Sequence, residues 1–166
     1  RLSLEQLASV EVTSVSRSAQ RLSSAPATIF VISRDDMLRS GATRLADALR
    51  LAPNLQVTQL TSSNHVVSAR GFGGSPQAQN FSNKLLVLVD GRSVYSPLFS
   101  GIYYDAQDVL LDDVERIEVI SGPGATQWGA NAMNGVINVI TRGAALTQGL
   151  LARAGGGTDE RSASLR

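Results

Sequence analysis

The stretch VERIEVISGPGATQWGANAMNGVINVIT, from Val114 to Thr141, places two apolar segments on either side of a glycine-rich turn. Residues 114–120 alternate branched apolar and charged side chains, a pattern that predicts a β-strand. Gly122-Pro123-Gly124 ends that strand, because proline lacks an amide donor and glycine accepts positive φ. After about one helical turn, Asn134-Gly135 predicts a reversal into a second strand rich in valine and isoleucine.

The glycines of this stretch permit two interpretations. One is a phosphate-binding turn, because a glycine-rich turn between a strand and a helix cradles phosphates in dinucleotide-binding folds. The spacing argues against it, since the third glycine of a G-x-G-x-x-G motif counted from Gly122 falls at Gln127, and no P-loop Lys-Ser or Lys-Thr follows. The second strand also arrives sooner than a crossover helix of roughly 10 residues allows. The other interpretation is structural: the glycines permit tight turns and close packing.

The composition of the chain limits the functions it can have. Its 166 residues are a sensible size for one domain, and an apolar content of 43% is enough for a sizeable core. Charged residues make up 17%, which is few for a soluble enzyme, and the net charge of +1 gives little support to nucleic-acid binding. Without cysteine there are no disulfides, thiolate nucleophiles or zinc–thiolate sites. No apolar run reaches the roughly 20 residues of a transmembrane helix.

Flanking segments predict further strands and short helices. Thr28–Ser33 (TIFVIS) is typical of a buried strand, and Ser33 is placed to cap a helix over Arg34–Arg39 that Gly41 ends. The other predicted elements follow in chain order: a strand at Val10–Val15, a helix from Arg44 to about Leu51 capped by Thr43, a hairpin of Leu55–Leu60 with His65–Arg70, a central strand Leu85–Val89 that returns through Asp90-Gly91 to Tyr95, and a short helix at Asp105–Leu111.

Two irregular loops interrupt this pattern, at Gly71–Asn83 (GFGGSPQAQNFSN) and at Ser96–Asp105. Loops of this length inside a compact domain are usually functional or disordered. After Arg142-Gly143 the residues become small, polar and glycine-rich, so residues 150–166 cannot build a core and a domain boundary is expected near residues 143–148.

Four motifs in this order resemble the plug domain of TonB-dependent outer-membrane receptors. They are SRDDMLRSGATRLADALRLAPNLQV (Ser33–Val57), SARGF (Ser68–Phe72), KLLVLVDGRSVY (Lys84–Tyr95) and DVERIEVISGPGATQWGANAMNGVINVIT (Asp113–Thr141). The resemblance extends from about Leu4 to Arg142, and agreement of several motifs in order and spacing is far more specific than one glycine pattern.

The resemblance implies an α+β fold in which a small mixed sheet of four to six strands carries short flanking helices, lodged in a barrel of about 22 strands. The barrel is absent or represented only by its first strand, because about 22 strands of ~10 residues need more chain than 166 residues. The implied organisation is an N-terminal arm with a possible TonB box (residues 1–24), the plug (residues 25–143), and a linker with the start of the first barrel strand (residues 144–166).

The same resemblance implies a function, a location and partners. A plug occludes its barrel as a gate and takes part in the energised uptake of a scarce nutrient: a ferric siderophore, haem or cobalamin, of which the ferric siderophore is favoured. The implied location is the outer membrane of a Gram-negative bacterium, with the N-terminus facing the periplasm. The implied partners are the inner-membrane protein TonB, the barrel and the small-molecule nutrient, and no cofactor is implied.

By analogy with other plugs, the two irregular loops face the extracellular side and contact the substrate. Aromatic rings suit apolar contact, and amide and hydroxyl groups suit hydrogen bonding. The alternative, that the aromatic residues only pin the loops, stays open. The implied contact residues are Phe72, Gln77, Gln79, Asn80, Phe81, Ser96, Leu98, Phe99, Tyr103 and Tyr104.

The candidate TonB box is Glu11–Val15, that is Glu11, Val12, Thr13, Ser14 and Val15. The family's usual TonB box is a short β-prone segment, and such a segment can add as a strand to a partner's sheet through backbone hydrogen bonds that tolerate loose sequence. The alternative is a strand that belongs to the plug itself.

One residue departs from the family pattern. Related plugs commonly have arginine where this chain has Ser121, and that arginine and the one of the Arg-Gly-Phe motif pair with barrel carboxylates. Arg70 keeps the second position, whereas Ser121 cannot supply the first. Since a buried ion pair that lacks one member is costly, we expect either a different barrel or a substitute, Arg116 or Arg142.

No residue pattern indicates an enzyme or a metal site. His65 is the only histidine, and one imidazole without a cysteine or carboxylate cluster is not a metal site. Asp112 and Asp113 are adjacent, and adjacent residues of an extended chain point to opposite faces, so they do not form a catalytic pair. Two alternatives to a receptor plug remain: a nucleotide-binding enzyme domain built on Gly122–Gly129, and a free periplasmic binding module.

Overall fold

The computed structural model describes residues 11–12, 20–21, 28–62, 64–70, 84–98, 100–121, 128–158 and 161–166. Within these ranges the chain forms a mixed α/β fold, and no helix is long and apolar enough to span a bilayer. The helices are α1 (Arg34–Ser40) and α2 (Leu45–Leu49). The strands are β1 (Glu11–Val12), β2 (Gln20–Arg21), β3 (Thr28–Ser33), β4 (Leu55–Thr61), β5 (Asn64–Ala69), β6 (Leu85–Val89), β7 (Arg92–Ser93), β8 (Val114–Ser121), β9 (Gly135–Thr141), β10 (Ala152–Gly156) and β11 (Arg161–Leu165).

The main sheet has five strands in the order β3-β8-β9-β6-β7. β8 and β9 are antiparallel, whereas β6 and β9 are parallel, so the sheet is mixed. The expectation of a small mixed sheet with short helices is confirmed. The prediction that Leu85–Val89 is the central strand is wrong, because β9 occupies the centre and β6 lies beside it. Both strands are apolar and largely buried, so composition alone could not rank them.

Gly135 begins β9 at a point where two strand backbones come very close. A Cβ atom at this position would lie 2.5 Å from the carbonyl oxygen of Ile120 in β8, and the glycine has φ of 157°. Only glycine fits so close to a neighbouring backbone. This supports the structural interpretation of the glycine at the Asn134-Gly135 turn.

The first helix begins and ends as its sequence predicts. Ser33 accepts a hydrogen bond from the amide of Asp36, whose carboxylate in turn accepts from the Ser33 amide, and Gly41 ends the helix in the left-handed conformation with φ of 72°. The second helix is shorter than predicted and Thr43 is not its cap, since Arg44 occupies that position without a side-chain hydrogen bond.

The Asp90-Gly91 turn joins β6 to β7, as predicted, and also holds the end of β9. The Asp90 carboxylate accepts hydrogen bonds from the amide and the hydroxyl of Thr141, both at 2.8 Å. The predicted helix at Asp105–Leu111 is wrong: the structure has two separate 3-10 turns, Tyr104–Ala106 and Leu111–Asp113. The Asp105 carboxylate, which could have capped such a helix, contacts His65 instead.

Both faces of the main sheet are covered. One face packs against α1, α2 and the β4–β5 hairpin, with Met37, Leu49 and Ile117 in the core cluster. The other face carries a smaller cluster that includes Leu86, Ile120 and Val136. Alternation places Glu118 on this second face, where it is fully buried although it is charged.

Candidate functional site

The loop that follows β7 is closed at its base and exposed at its tip. The amide of Ser96 donates to the carbonyl of Gly101 at 2.9 Å, and the Gly101 amide donates back at 3.4 Å. Between them Leu98 is fully exposed, and beyond this bridge the exposed fraction of Tyr103 is 48%. Leu98 and Tyr103 are thus two large side chains on this segment that a ligand can reach.

Tyr104 lies in the main core and not on this exposed surface. Its exposed fraction is 2%, as is that of Ile102. Burial raises the pKa of the Tyr104 hydroxyl above its ordinary value. That hydroxyl has no hydrogen-bond partner within the described part of the chain. Tyr104 and Ile102 therefore anchor the loop, and Leu98 and Tyr103 provide its surface.

A partly buried contact fixes the other end of the same segment. His65 Nδ1 of β5 lies 3.0 Å from both carboxylate oxygens of Asp105, and the exposed fractions of the two side chains are 1% and 18%. Arg44, at the start of α2, places Nη1 3.9 Å from Asp105 Oδ1 and donates to the Ser62 carbonyl at 3.0 Å. A cleft of about 390 Å³ adjoins Arg44, Ser62, Tyr104 and Asp105. The contact thus joins the loop, the β4–β5 hairpin and α2.

His65 has one carboxylate beside it in the structure. Among the described residues there is no group of three histidine, cysteine, aspartate or glutamate side chains that could hold a metal ion. The geometry that does exist, a buried imidazole against a carboxylate, is suited to positioning the Tyr104–Ala106 turn.

Several predicted residues lie outside the described ranges. They are Phe72, Gln77, Gln79, Asn80, Phe81 and Phe99 of the substrate loops, Thr13, Ser14 and Val15 of the candidate TonB box, and residues 122–127 of the glycine turn.

The described part of the candidate TonB box is paired within the chain. Glu11 and Val12 form β1, which pairs antiparallel with Gln20–Arg21, and Val12 is fully buried. Both interpretations of this segment start from such a β-prone sequence. A segment that binds a partner's sheet must first leave β2.

The two arginines predicted to pair with a barrel have different surroundings. Arg70 is exposed, has φ of 60°, and forms no ion pair with the described residues. Arg116 is 18% exposed and pairs within its own strand, its Nε 2.8 Å from Glu118 and its Nη1 2.7 Å from Glu115. Arg142, the other proposed substitute, donates to the Leu146 carbonyl at 3.0 Å.

At Ser121, where related plugs commonly have arginine, a different contact occurs. Asn54, in the turn between α2 and β4, donates through Nδ2 to the Ser121 hydroxyl. This joins the end of β8 to that turn. The sequence drew attention to Ser121, but nothing in it indicated Asn54 as the partner.

Comparison with known proteins decides the family. The model of the TonB-dependent receptor plug domain matches residues 21–136, more than half of the chain. This chain belongs to the TonB-dependent receptor plug domain family. The plug is 35% identical over 89% of its length to the vitamin B12 transporter BtuB of Vibrio vulnificus, and 40% identical over 75% of its length to an iron-regulated outer membrane virulence protein of Vibrio cholerae.

A solved structure shares the fold of the plug. A variant of the ferric enterobactin receptor PfeA from Pseudomonas aeruginosa aligns with a TM-score of 0.54 and 30% identity, over 80% of this chain and 19% of that receptor. The chain spans 23% and 18% of the lengths of the two curated relatives. These relatives are named as transport, receptor and virulence proteins, and none of the three is named as an enzyme.

The topology of the plug disfavours a nucleotide site at Gly122–Gly129. Dinucleotide-binding turns connect a strand to a crossover helix that returns to a parallel strand. Here the glycine turn connects β8 to β9, which are antiparallel and directly paired, with Val119 opposite Ile137. The connection is therefore a reversal between neighbouring strands.

The contact between His65 and Asp105 was missed by sequence reasoning. The residues are 40 positions apart, and the local sequence around each predicts a different role: a strand residue for His65 and the start of a helix for Asp105. The sequence carried only a weak signal, because a histidine in a strand needs a polar partner when it is buried.

Proposed function

We propose that this plug gates an outer-membrane barrel and takes part in the energised uptake of a scarce nutrient, for which a ferric siderophore is the favoured substrate class. The observation that carries the proposal is membership of the plug family over residues 21–136. In this proposal the plug comprises residues 25–143, the arm residues 1–24, and residues 144–166 the linker and the start of the first barrel strand. The location is the outer membrane of a Gram-negative bacterium, with the arm in the periplasm.

The names of the relatives support the substrate class. The Vibrio cholerae relative, at 40% identity, is named as iron-regulated, and the solved Pseudomonas receptor is named for ferric enterobactin. The Vibrio vulnificus relative is named for vitamin B12, so cobalamin is the second candidate. Two of these three names point to iron.

The exposed loop supports direct contact between the plug and its substrate. Leu98 is exposed inside the loop that the Ser96–Gly101 bridge closes, and Tyr103 is exposed just after that bridge. Both side chains offer apolar atoms to a ligand. Iron–siderophore complexes are large and carry organic groups that such a surface can bind. Phe72, Gln77, Gln79, Asn80, Phe81 and Phe99 are proposed to extend this surface.

TonB is the proposed partner at the periplasmic side, through Glu11–Val15. Arg70 and Arg116 are the proposed contacts with barrel carboxylates, and the exposure of Arg70 suits that role better than the in-strand ion pairs of Arg116. A free periplasmic binding module is disfavoured, since the relatives named as a transporter and as a receptor are much longer proteins.

The test is transport by the receptor that contains this plug, expressed in cells that lack their own siderophore receptors. Uptake of radioactive iron bound to a panel of siderophores is compared with uptake of labelled cobalamin. We expect accumulation with at least one ferric siderophore, dependent on membrane energisation, and weaker uptake for the double variant Leu98→Ser and Tyr103→Ser than for a control at Leu146→Ser. Accumulation of cobalamin alone would replace the substrate class, and no transport of either would overturn the proposal.

A further inference from the structure

The C-terminal hairpin has two unlike faces. β10 and β11 pair antiparallel, with Ala152 opposite Leu165 and Arg153 opposite Ser164. Since side chains alternate along a strand, one face carries Ala152, Ala154, Ala163 and Leu165, with Arg161 at its far end, and the other carries Arg153, Ser162 and Ser164. Alternation places Arg166 on the same face as Ser164, and its backbone pairs with Leu151, which shares this face, by hydrogen bonds of 2.7 and 2.8 Å.

The polar face meets two neighbouring carboxylates of the plug. Arg153 Nη1 lies 2.9 Å from Asp112 Oδ2, and Arg166 Nε lies 2.8 Å from Asp113 Oδ2. The exposed fractions of the aspartate side chains are only 16% and 19%. The second contact is an ion pair without hydrogen-bond geometry, and Asp113 Oδ1 and Arg166 Nη1 have no hydrogen-bond partner among the described residues.

The turn that carries these carboxylates is held from both sides. The Asp112 carbonyl accepts from Arg34 Nε of α1 at 3.3 Å, and the Asp113 carbonyl accepts from the amide of Arg142 at 2.8 Å. The backbone of the Leu111–Asp113 turn is thus attached to α1 and to the segment after β9. Two adjacent negative charges repel each other, and two cations placed opposite them relieve that repulsion.

Apolar burial contributes little to the attachment of the hairpin. In β10 every residue is exposed, and in β11 only Ser164 is partly buried. Leu165 on the outward face is 74% exposed. Leu151, just before β10, is partly buried, so the two ion pairs act together with this limited apolar burial in placing the hairpin.

We propose that Asp112 and Asp113 form an acidic docking site that binds the C-terminal hairpin through Arg153 and Arg166 and determines which of its faces points away from the plug. If the proposed function is correct, this is the contact between the plug and the first hairpin of the barrel. The docking site itself does not depend on that function. Because charge pairs hold it, the contact can open and re-form without exposing a large apolar surface, and it weakens with salt.

The test measures the distance between the hairpin and α1 in the 166-residue chain. The chain has no cysteine, so Arg39→Cys and Ala163→Cys, both at exposed positions, give two specific sites for spin labels. Double electron–electron resonance should give one narrow distribution of the distance between the two spin labels. Asp112→Arg or Arg153→Asp alone should remove roughly half or more of that population, and the two substitutions together should restore it.

A matched control and a salt titration keep the test independent of folding defects. Asp47→Asn removes a carboxylate that pairs within its own helix region, with Arg50, and should leave the distribution unchanged. Native chain in about 1 M NaCl, where the Debye length is about 3 Å, should show the same broadening as the single charge reversals. The proposal is overturned if the distribution survives both charge reversal and salt, whatever the transport assay of the complete receptor shows.

Discussion

His65 Nδ1 lies 3.0 Å from both carboxylate oxygens of Asp105, at the point where β5 meets the loop that carries Leu98 and Tyr103. The imidazole is almost completely buried, whereas the carboxylate has one side towards the cleft beside Arg44. This pair and the neighbouring contact of Asp105 with Arg44 connect the exposed loop to the rest of the plug, so the loss of the pair should affect both stability and loop position.

Asp105→Ala removes the carboxylate and leaves the buried imidazole without its partner. We expect the free energy of unfolding to fall by about 1–3 kcal/mol, the usual penalty for a buried polar group that loses its hydrogen bond. Urea unfolding of the chain measures this. The control is Asp108→Ala, an exposed carboxylate three residues away, which should change the value by less than about 0.5 kcal/mol. Equal effects of the two substitutions would contradict the assigned role.

Tyr104→Phe tests the buried hydroxyl that has no partner among the described residues. Removing it should leave stability at neutral pH unchanged or raise it by about 1 kcal/mol, because no hydrogen bond is lost and a polar group leaves the core.

The same substitution should change the alkaline limb of the stability profile. Burial raises the pKa of Tyr104, so the folded state holds this proton more tightly than the unfolded state. Its contribution to stability is complete below the unfolded pKa of about 10 and is lost as pH rises through the folded value. Tyr104→Phe should therefore lose less stability above pH ~10 than the native chain. Tyr103→Phe, at an exposed ring, serves as the control, and an identical alkaline limb for Tyr104→Phe would contradict the prediction.

Local signals in the sequence predicted local structure, and long-range pairing could not be read from it. Ser33, Asp36 and Gly41 specify the ends of α1 through contacts within a few residues, so the helix was predicted correctly. The order of strands in the sheet depends on which apolar strands meet across long stretches of chain, and β6 and β9 have similar composition. The sequence could not predict the burial of Glu118 either. The alternating pattern of β8 does not reveal that other elements cover both faces of the sheet.

For the candidate site too, the sequence predicted local features and not tertiary contacts. The sequence identified the loop at Ser96–Asp105 from its irregular composition, and the structure adds that the bridge between Ser96 and Gly101 closes it. Which aromatic residue faces inward depends on tertiary packing: neighbouring Tyr103 and Tyr104 have the same chemistry, yet one is exposed and the other lies in the core.

Gly135→Ala should destabilise the sheet strongly, since the new methyl group would lie 2.5 Å from the Ile120 carbonyl oxygen, a backbone atom that cannot move aside alone. We expect a loss of about 2–4 kcal/mol in the free energy of unfolding. Gly143→Ala is the matched control, because a methyl group added there would have no atom within 4 Å and its φ is not positive. Thermal and urea unfolding of both variants give the comparison, and a Gly135→Ala chain as stable as Gly143→Ala would disprove the close approach of the strands.

Two substitutions, Arg116→Ala and Arg70→Ala, distinguish a residue that stabilises the plug from one that contacts a barrel. Arg116 pairs with the fully buried carboxylate of Glu118, so its removal should cost about 3 kcal/mol even in the isolated chain. Arg70 is exposed, and its replacement should stay within about 0.5 kcal/mol there. In the complete receptor, we expect Arg70→Ala to loosen the plug, measured as faster protease cleavage. If the Arg116→Ala chain is as stable as the native chain, the ion pair between Arg116 and Glu118 does not stabilise the plug.

Deleting residues 11–15 should abolish energised uptake while substrate binding to the complete receptor stays intact, because this segment is proposed to bind TonB and not the substrate. Binding is measured on de-energised cells and uptake on energised cells. The deletion also removes β1 from its pairing with β2, so a second variant is needed. Gln20→Pro breaks the same strand pair from the β2 side and keeps Glu11–Val15 in place. If uptake survives the deletion, the TonB-box assignment is wrong; if both variants lose uptake, the β1–β2 pairing is what transport requires.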